Sequence, residues 1–226
     1  DPEMSRGLGD VYKRQSLSSS NTLLDSVVAH IRQRSGKMMR PILVLLVARL
    51  YGVVSPATLH AAVSLELLHN ASLVHDDVVD ESTERRGQLS VNAIFNNKVA
   101  VLTGDYLLAT SLVHAELTNS HQIIRLVSSL GQDLADGELL QLSNVSNHSF
   151  SETVYFDVIR KKTAALFAAC TEAAAYSVGV SEEEVKLARL LGEYIGICFQ
   201  IKDDIFDYFD SKEIGKPTGN DMLEGK

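Results

Sequence analysis

The chain has 226 residues with 29 acidic against 21 basic side chains, and its net charge of −8 argues against nonspecific nucleic-acid binding as the main role. Hydrophobic residues make up 45% and charged residues 22%, a globular balance, and no uninterrupted apolar run approaches the roughly 18 residues that a membrane span needs. Cys170 and Cys198 show no CxxC or Cys/His spacing, which argues against a disulfide framework or a zinc site and fits a reducing, cytoplasmic setting.

Residues 1–15 have neither an amphipathic period nor a signal-peptide core, so they are expected to be a disordered or non-native leader outside the folded domain at 16–226. Helices follow in succession. Pro41 opens one through PILVLLVARLYG, which Gly52 closes. Ser55 and Pro56 cap a long segment that runs to Asp80 and is apolar on nearly every face, as a helix in the middle of a bundle must be. Further helices are predicted over 98–117 and 121–143, followed by a polar loop NVSNHS. Ser149 with Glu152 reads as a capping box before a helix to about Ser177, and Ser181 with Glu184 repeats the pattern before a helix through KDDIFDYF. No two-residue alternation bounded by turns is seen, so the predicted fold class is all-α. Asn70, Asn144 and Asn147 each begin an N-x-S triplet, which carries no glycosylation meaning without a secretory signal.

The strongest chemical signal is a pair of acidic clusters, Asp76-Asp77-Val78-Val79-Asp80 and Asp203-Asp204-Ile205-Phe206-Asp207. Residues four apart on a helix share a face, so the first and last carboxylates of each cluster repel unless a cation compensates. One such cluster alone is as well read as a solvated helix end. Two with identical spacing, each after an apolar run, point to one shared metal site with Asp76 and Asp203 on opposite walls. Oxygen ligands favour Mg²⁺, with Mn²⁺ as an alternative, and Mg²⁺ completes its shell with water and phosphate oxygens. Separate cationic groups, Lys37, Arg40, Arg85, Arg86, Lys162 and Lys216, suggest a second phosphate site held directly, with His69 as a further contributor.

These residues resemble the trans-isoprenyl diphosphate synthase family, in particular its medium- and long-chain polyprenyl branch. ELLHNASLVHDDVVDESTERRG is similar to that family's first aspartate-rich motif and GICFQIKDDIFDYFDSKEIGKPTGND to its second. SGKMMRP, LTGDYLLA, the pattern of Gly137, Glu138 and Gln141, and RKKTAAL complete the order. The resemblance implies a helical bundle around a deep central cavity. It also implies a reaction in which an allylic diphosphate ionises with three Mg²⁺ ions, isopentenyl diphosphate attacks, and a proton is lost. Carried over by position, Asp76, Asp77, Asp80, Asp203, Asp204 and Asp207 would hold metal. Lys37, Arg40, His69 and Arg86 would bind isopentenyl diphosphate, and Arg85, Lys162 and Lys216 the allylic diphosphate. Thr163 and Gln200 would lie beside the reacting carbons. The released diphosphate would take the proton.

Leu68, Ala71 and Ser72 precede the first cluster, where a short-chain enzyme commonly has an aromatic block. Ala71 is small, so a product of about C30 to C50 is expected, and Ala71→Phe is expected to shorten it. Ser35 and Met38 replace a Gly and an Arg common in the amino-terminal motif, and the chain is shorter at its carboxyl end than that family. A homodimer is implied. Three alternatives are weaker: a class I terpene cyclase lacks the second aspartate cluster, a di-iron bundle needs a second ExxH beside Glu66-Leu-Leu-His69, and a noncatalytic partner subunit has no need of both clusters.

Overall fold

The computed structural model describes residues 21–33, 38–85, 87–147 and 151–208, with the backbone alone for 144–147, 207 and 208. Helix α1 (Thr22–Gln33) begins where the Asn21 side-chain carbonyl accepts from the Leu23 and Leu24 amides. Helix α2 (Met39–Tyr51) starts two residues earlier than Pro41 suggests; proline sits in its first turn, where no intrahelical N–H is needed. Helix α3 (Pro56–Val79) carries the cap read from the sequence, with Ser55 accepting from Thr58 N and Thr58 returning the bond. Its middle is buried on all faces, from Ala61 to His69.

Strands β1 (Glu84–Arg85) and β2 (Gln88–Leu89) form a short antiparallel ribbon after α3. Sequence pattern did not reveal it, because two residues per strand carry no period. Gly87 supplies the turn with φ +74°. Helices α4 (Val91–Phe95) and α5 (Asn97–Glu116) follow, then α6 (His121–Asn147). Helix α6 extends through Asn147, into the stretch read as a polar loop. Helix α7 (Glu152–Ile159) is capped by Ser151, whose side chain accepts from Val154 N; Ser149 lies outside the described residues. A π-helical turn (Arg160–Ala164) then leads into α8 (Ala165–Val178). Helix α9 (Glu182–Tyr208) opens on the Ser181–Glu184 box, with Ser181 N and Oγ donating to Glu184 Oε2 at 3.0 and 2.8 Å.

Among the described residues the fold is thus all-α apart from that ribbon. Helix α3 packs between α5, α8 and α2, and α9 lies along α8. One core cluster joins Val44, Ala61, Leu65, Leu68, Ile123, Leu166 and Cys170; the other joins Val27, Val63, Leu67, Ala71, Val91 and Leu107. Helix α9 approaches α8 and the π-turn before it at van der Waals limits through two glycines one turn apart. A Cβ on Gly192 would lie 2.5 Å from the Phe167 carbonyl oxygen, and one on Gly196 would lie 2.5 Å from Ala164 Cα. Among the described residues, no helix is long and apolar enough to cross a membrane.

Candidate active site

Helical phase separates the carboxylates at the end of α3. Asp77 turns inward: its side chain is 2% exposed, and Arg85 Nε on β1 donates to Asp77 Oδ1 at 2.5 Å. The turn that carries Arg85 is itself tied back, since Asn92 Nδ2 donates to the carbonyls of Asp77 and Ser82 at 3.1 and 3.0 Å. Asp77 is therefore occupied by an ion pair that fixes the ribbon, where sequence reasoning expected a metal ligand. Asp76 faces another way, towards α6 and the π-turn. Burial pushes its carboxyl up to about 6; Glu138 pushes the same way, Lys162 and Arg85 oppose, and Asp80 adds to the rise. A buried carboxyl crowded by two others is held in a state that a divalent cation relieves.

The π-turn supplies the facing groups. Its register is set by an Ala165 N–H to Arg160 carbonyl bond, one residue longer than an α-helical bond. Lys162 Nζ lies 2.8 Å from Glu138 Oε2 and donates to Gln141 Oε1 at 3.0 Å, both on α6. Gly137 permits this approach, because a Cβ there would lie 2.9 Å from Lys161 Cβ and 3.2 Å from Lys162 N. The next residue reaches the other wall: Thr163 Oγ1 donates to Gln200 Oε1 at 2.7 Å, and Gln200 Nε2 donates to Asp204 Oδ1 at 2.6 Å. Tyr155 of α7 donates to Asp204 Oδ2 at 2.5 Å. Through two consecutive residues the π-turn connects the neighbourhood of Asp76 with that of Asp204.

Among the described residues, no three His, Cys, Asp or Glu side chains are gathered as a ready-made metal cage. Carboxylates from two helix ends, half-buried Asp76 and Asp203 among them, nevertheless suit a hard cation that takes its remaining oxygens from water and phosphate. That donor chemistry fits Mg²⁺.

The chain matches the polyprenyl synthetase family over residues 21–226. It belongs to that family. It is 37% identical to octaprenyl diphosphate synthase of Haemophilus influenzae, covering 100% of this chain and 68% of that protein. Geranylgeranyl pyrophosphate synthase from Bacteroides thetaiotaomicron, known from its crystal structure, is 80% identical with a TM-score of 0.79, covering 91% of this chain and 64% of that one. Polyprenyl synthase from Caulobacter crescentus, solved in complex with calcium and isoprenyl diphosphate, is 34% identical with a TM-score of 0.93, covering 99% and 69%. The chain spans about two thirds of the length of the curated relatives it matches.

In this polyprenyl synthetase family chain the other expected site residues fall in three groups. Arg40 stacks its guanidinium over the Phe167 ring, 5.5 Å from the centroid, and His69 is buried on α3. Buried Cys170 lies near Arg40: burial pushes its thiol up to about 12, with Arg40 opposing and Glu66 reinforcing. Lys37, Arg86 and Lys216 lie outside the described residues, as does the side chain of Asp207. Leu68 and Ala71, expected to share one path, belong to different core clusters and are 3% and 2% exposed. Half-buried Ser72, four residues before Asp76, is the position directly beneath it on α3. Ala71 lies beneath His75, whose ring covers Gly104 of α5.

Sequence reasoning missed Tyr155 altogether and gave Glu138 and Gln141 no role. The pattern of Gly137, Glu138 and Gln141 was the available signal for the last two. Nothing in the local pattern singled out Tyr155.

Proposed function

We propose that this chain carries the active site of a Mg²⁺-dependent trans-polyprenyl diphosphate synthase, which condenses isopentenyl diphosphate with an allylic diphosphate. The observation that carries the reading is the π-turn, which presents Lys162 beside Asp76 and Thr163 beside the Gln200–Asp204 wall. In the reaction, the allylic C–O bond breaks and diphosphate departs with the electron pair. The double bond of isopentenyl diphosphate forms the new C–C bond, and the proton released goes to the diphosphate.

Asp76, Asp80 and Asp203 would hold Mg²⁺, with Asp207 completing the second wall; three ions are proposed, and Mn²⁺ is the alternative. Bound metal neutralises the charge that builds on the departing diphosphate. The chain's own groups do the rest. Lys162, already oriented by Glu138 and Gln141, offers a fixed cation to the leaving group, so little reorganisation accompanies ionisation. Arg85, anchored on Asp77, and Lys216 would assist it. Lys37, Arg40, His69 and Arg86 would hold isopentenyl diphosphate. Apolar walls would have to exclude the water that quenches an allylic cation to an alcohol.

A product of about C30 to C50 is supported by the small Ala71 and by relatives such as the octaprenyl synthase. A C20 product is the second reading, favoured by the 80% identical geranylgeranyl pyrophosphate synthase and by the close packing of Ala71. The deciding assay supplies farnesyl or geranylgeranyl diphosphate, labelled isopentenyl diphosphate and Mg²⁺ to the full-length protein and separates products by length. Products of C30 or longer are expected, shortened in Ala71→Phe. Accumulation of C20 from farnesyl diphosphate favours the second reading, and no isopentenyl incorporation overturns both.

Partnership with a second copy is supported by the outer face of α5, where Val101, Leu102, Leu112, Val113 and Leu117 are exposed, Leu102 at 68%. Exposed apolar residues recurring along one helix suit a partner surface, and one helix packing on its own copy gives an isologous interface. Replacing Leu102 and Val113 with Lys is expected to halve the mass seen by sedimentation equilibrium; a monomeric parent protein would refute the homodimer. The free thiols of Cys170 and Cys198 support a reducing, cytoplasmic location.

A further inference from the structure

The hydrogen bonds between α7, the π-turn and α9 determine their own direction. The Gln200 amide nitrogen donates to Asp204 Oδ1 at 2.6 Å, which fixes which end of the amide faces the carboxyl group. Gln200 Oε1 then faces Thr163, and the Thr163 hydroxyl must be the donor across 2.7 Å. The second Asp204 oxygen is taken by the Tyr155 hydroxyl at 2.5 Å. Burial and this bond both raise the Tyr155 phenol's pKa, which keeps its proton in place. Both oxygens of Asp204 thus serve side chains from its own wall.

We propose that Tyr155 and Asp204 are positioning residues that lock the Gln200 amide in one orientation, so that Thr163 donates to Gln200 and leaves its oxygen lone pairs for the electron-poor allylic carbon. The inference deepens the prenyl-transfer reading and rests on it. Without the carboxylate, the Gln200 amide can turn over and donate to Thr163. The hydroxyl proton is then released to point at the carbon that becomes positive, and the local dipole opposes the reaction. A fixed dipole favours the transition state because it requires no reorientation as charge develops.

The roles are tested in the full-length protein with Tyr155→Phe, Asp204→Asn and Asp204→Ala. Loss of one hydrogen bond to a charged group predicts a fall in kcat of about tenfold for Tyr155→Phe and more for Asp204→Ala. In Tyr155→Phe, KM for both diphosphates and the Mg²⁺ half-saturation should stay within about twofold, because Tyr155 acts through Asp204 and Gln200. Asparagine can still accept from Gln200 through Oδ1 and donate to the Tyr155 oxygen through Nδ2, so Asp204→Asn should lose less kcat than Asp204→Ala. Adding Tyr155→Phe to Asp204→Ala should cost little more, since both break one chain. An unchanged kcat in Tyr155→Phe overturns the proposal. So does an Asp204→Asn variant that is inactive with a raised Mg²⁺ requirement, the mark of a direct metal ligand. A wild-type protein that forms no prenyl product sinks the prenyl-transfer reading and this one together, whereas an active wild type with an indifferent Tyr155→Phe sinks the positioning roles alone.

Discussion

Asp76→Asn is expected to lower prenyl-transfer turnover by about 10²–10³-fold, the scale on which loss of one preorganised electrostatic contact to a developing anion is felt. Asp203→Asn should fall in the same range if both walls grip the same diphosphate. Asp76 also sets a pH dependence. Its carboxyl is raised from 3.8 to about 6, chiefly by burial and then by Glu138. The native state therefore holds a proton between those values that the unfolded chain has released. This group makes the metal-free protein more stable as pH falls through about 6, and its ionisation penalty is present above that. A cation binding there must displace the proton, so apparent Mg²⁺ affinity should level off above about pH 6 and fall below it, by up to tenfold per pH unit. Titration of Mg²⁺ against pH, in wild type and Asp76→Asn, reads this directly. A wild-type profile that is flat through that range, or unchanged in the variant, removes Asp76 from the metal site.

Gly196→Ala should destabilise the protein by about 1–3 kcal/mol, the usual cost of forcing atoms into a filled interface. In an isolated helix the same change is favourable by about 1 kcal/mol, so the sign separates packing from propensity. The new Cβ would lie 2.5 Å from Ala164 Cα, 3.0 Å from Ala164 Cβ and 3.2 Å from Phe167 Cβ, and main chain cannot yield as a flexible side chain can. Separating α9 from the π-turn also stretches the Thr163–Gln200 bond that spans the same seam. Turnover should therefore drop together with the urea midpoint. A midpoint that is unchanged or raised would show that α9 does not lie this close to Ala164.

Much of the architecture was legible because it is encoded locally. Ser55 and the Ser181–Glu184 pair cap their helices as read, since capping is a contact between residues three apart. Helix α3 was recognisable as central because it is apolar on every side. What escaped was decided by tertiary phase. Spacing shows that Asp76 and Asp80 share a face, but not that Asp77 meets an arginine brought back by a ribbon too short to leave a pattern. The Ser151 cap went unread because Ser149, which lies outside the described residues, carries the more conspicuous pattern with Glu152. The Tyr155–Asp204 bond links residues 49 positions apart, beyond any window of periodicity.

The extra backbone residue in the π-turn shifts everything after it by about 100° around the helix axis. Segments on either side of it behave as differently indexed rods: α7 buries only Ile159, whereas α8 is enclosed almost throughout from Leu166 to Ala175. Excising a single residue between 160 and 164 would restore a regular spiral with Tyr155 and Phe167 still in phase, but the turn could then no longer present Lys162 and Thr163 in succession to opposite walls. A lone codon deletion here should therefore spare the fold and cost the site, whereas an added residue would rotate α8 against α7.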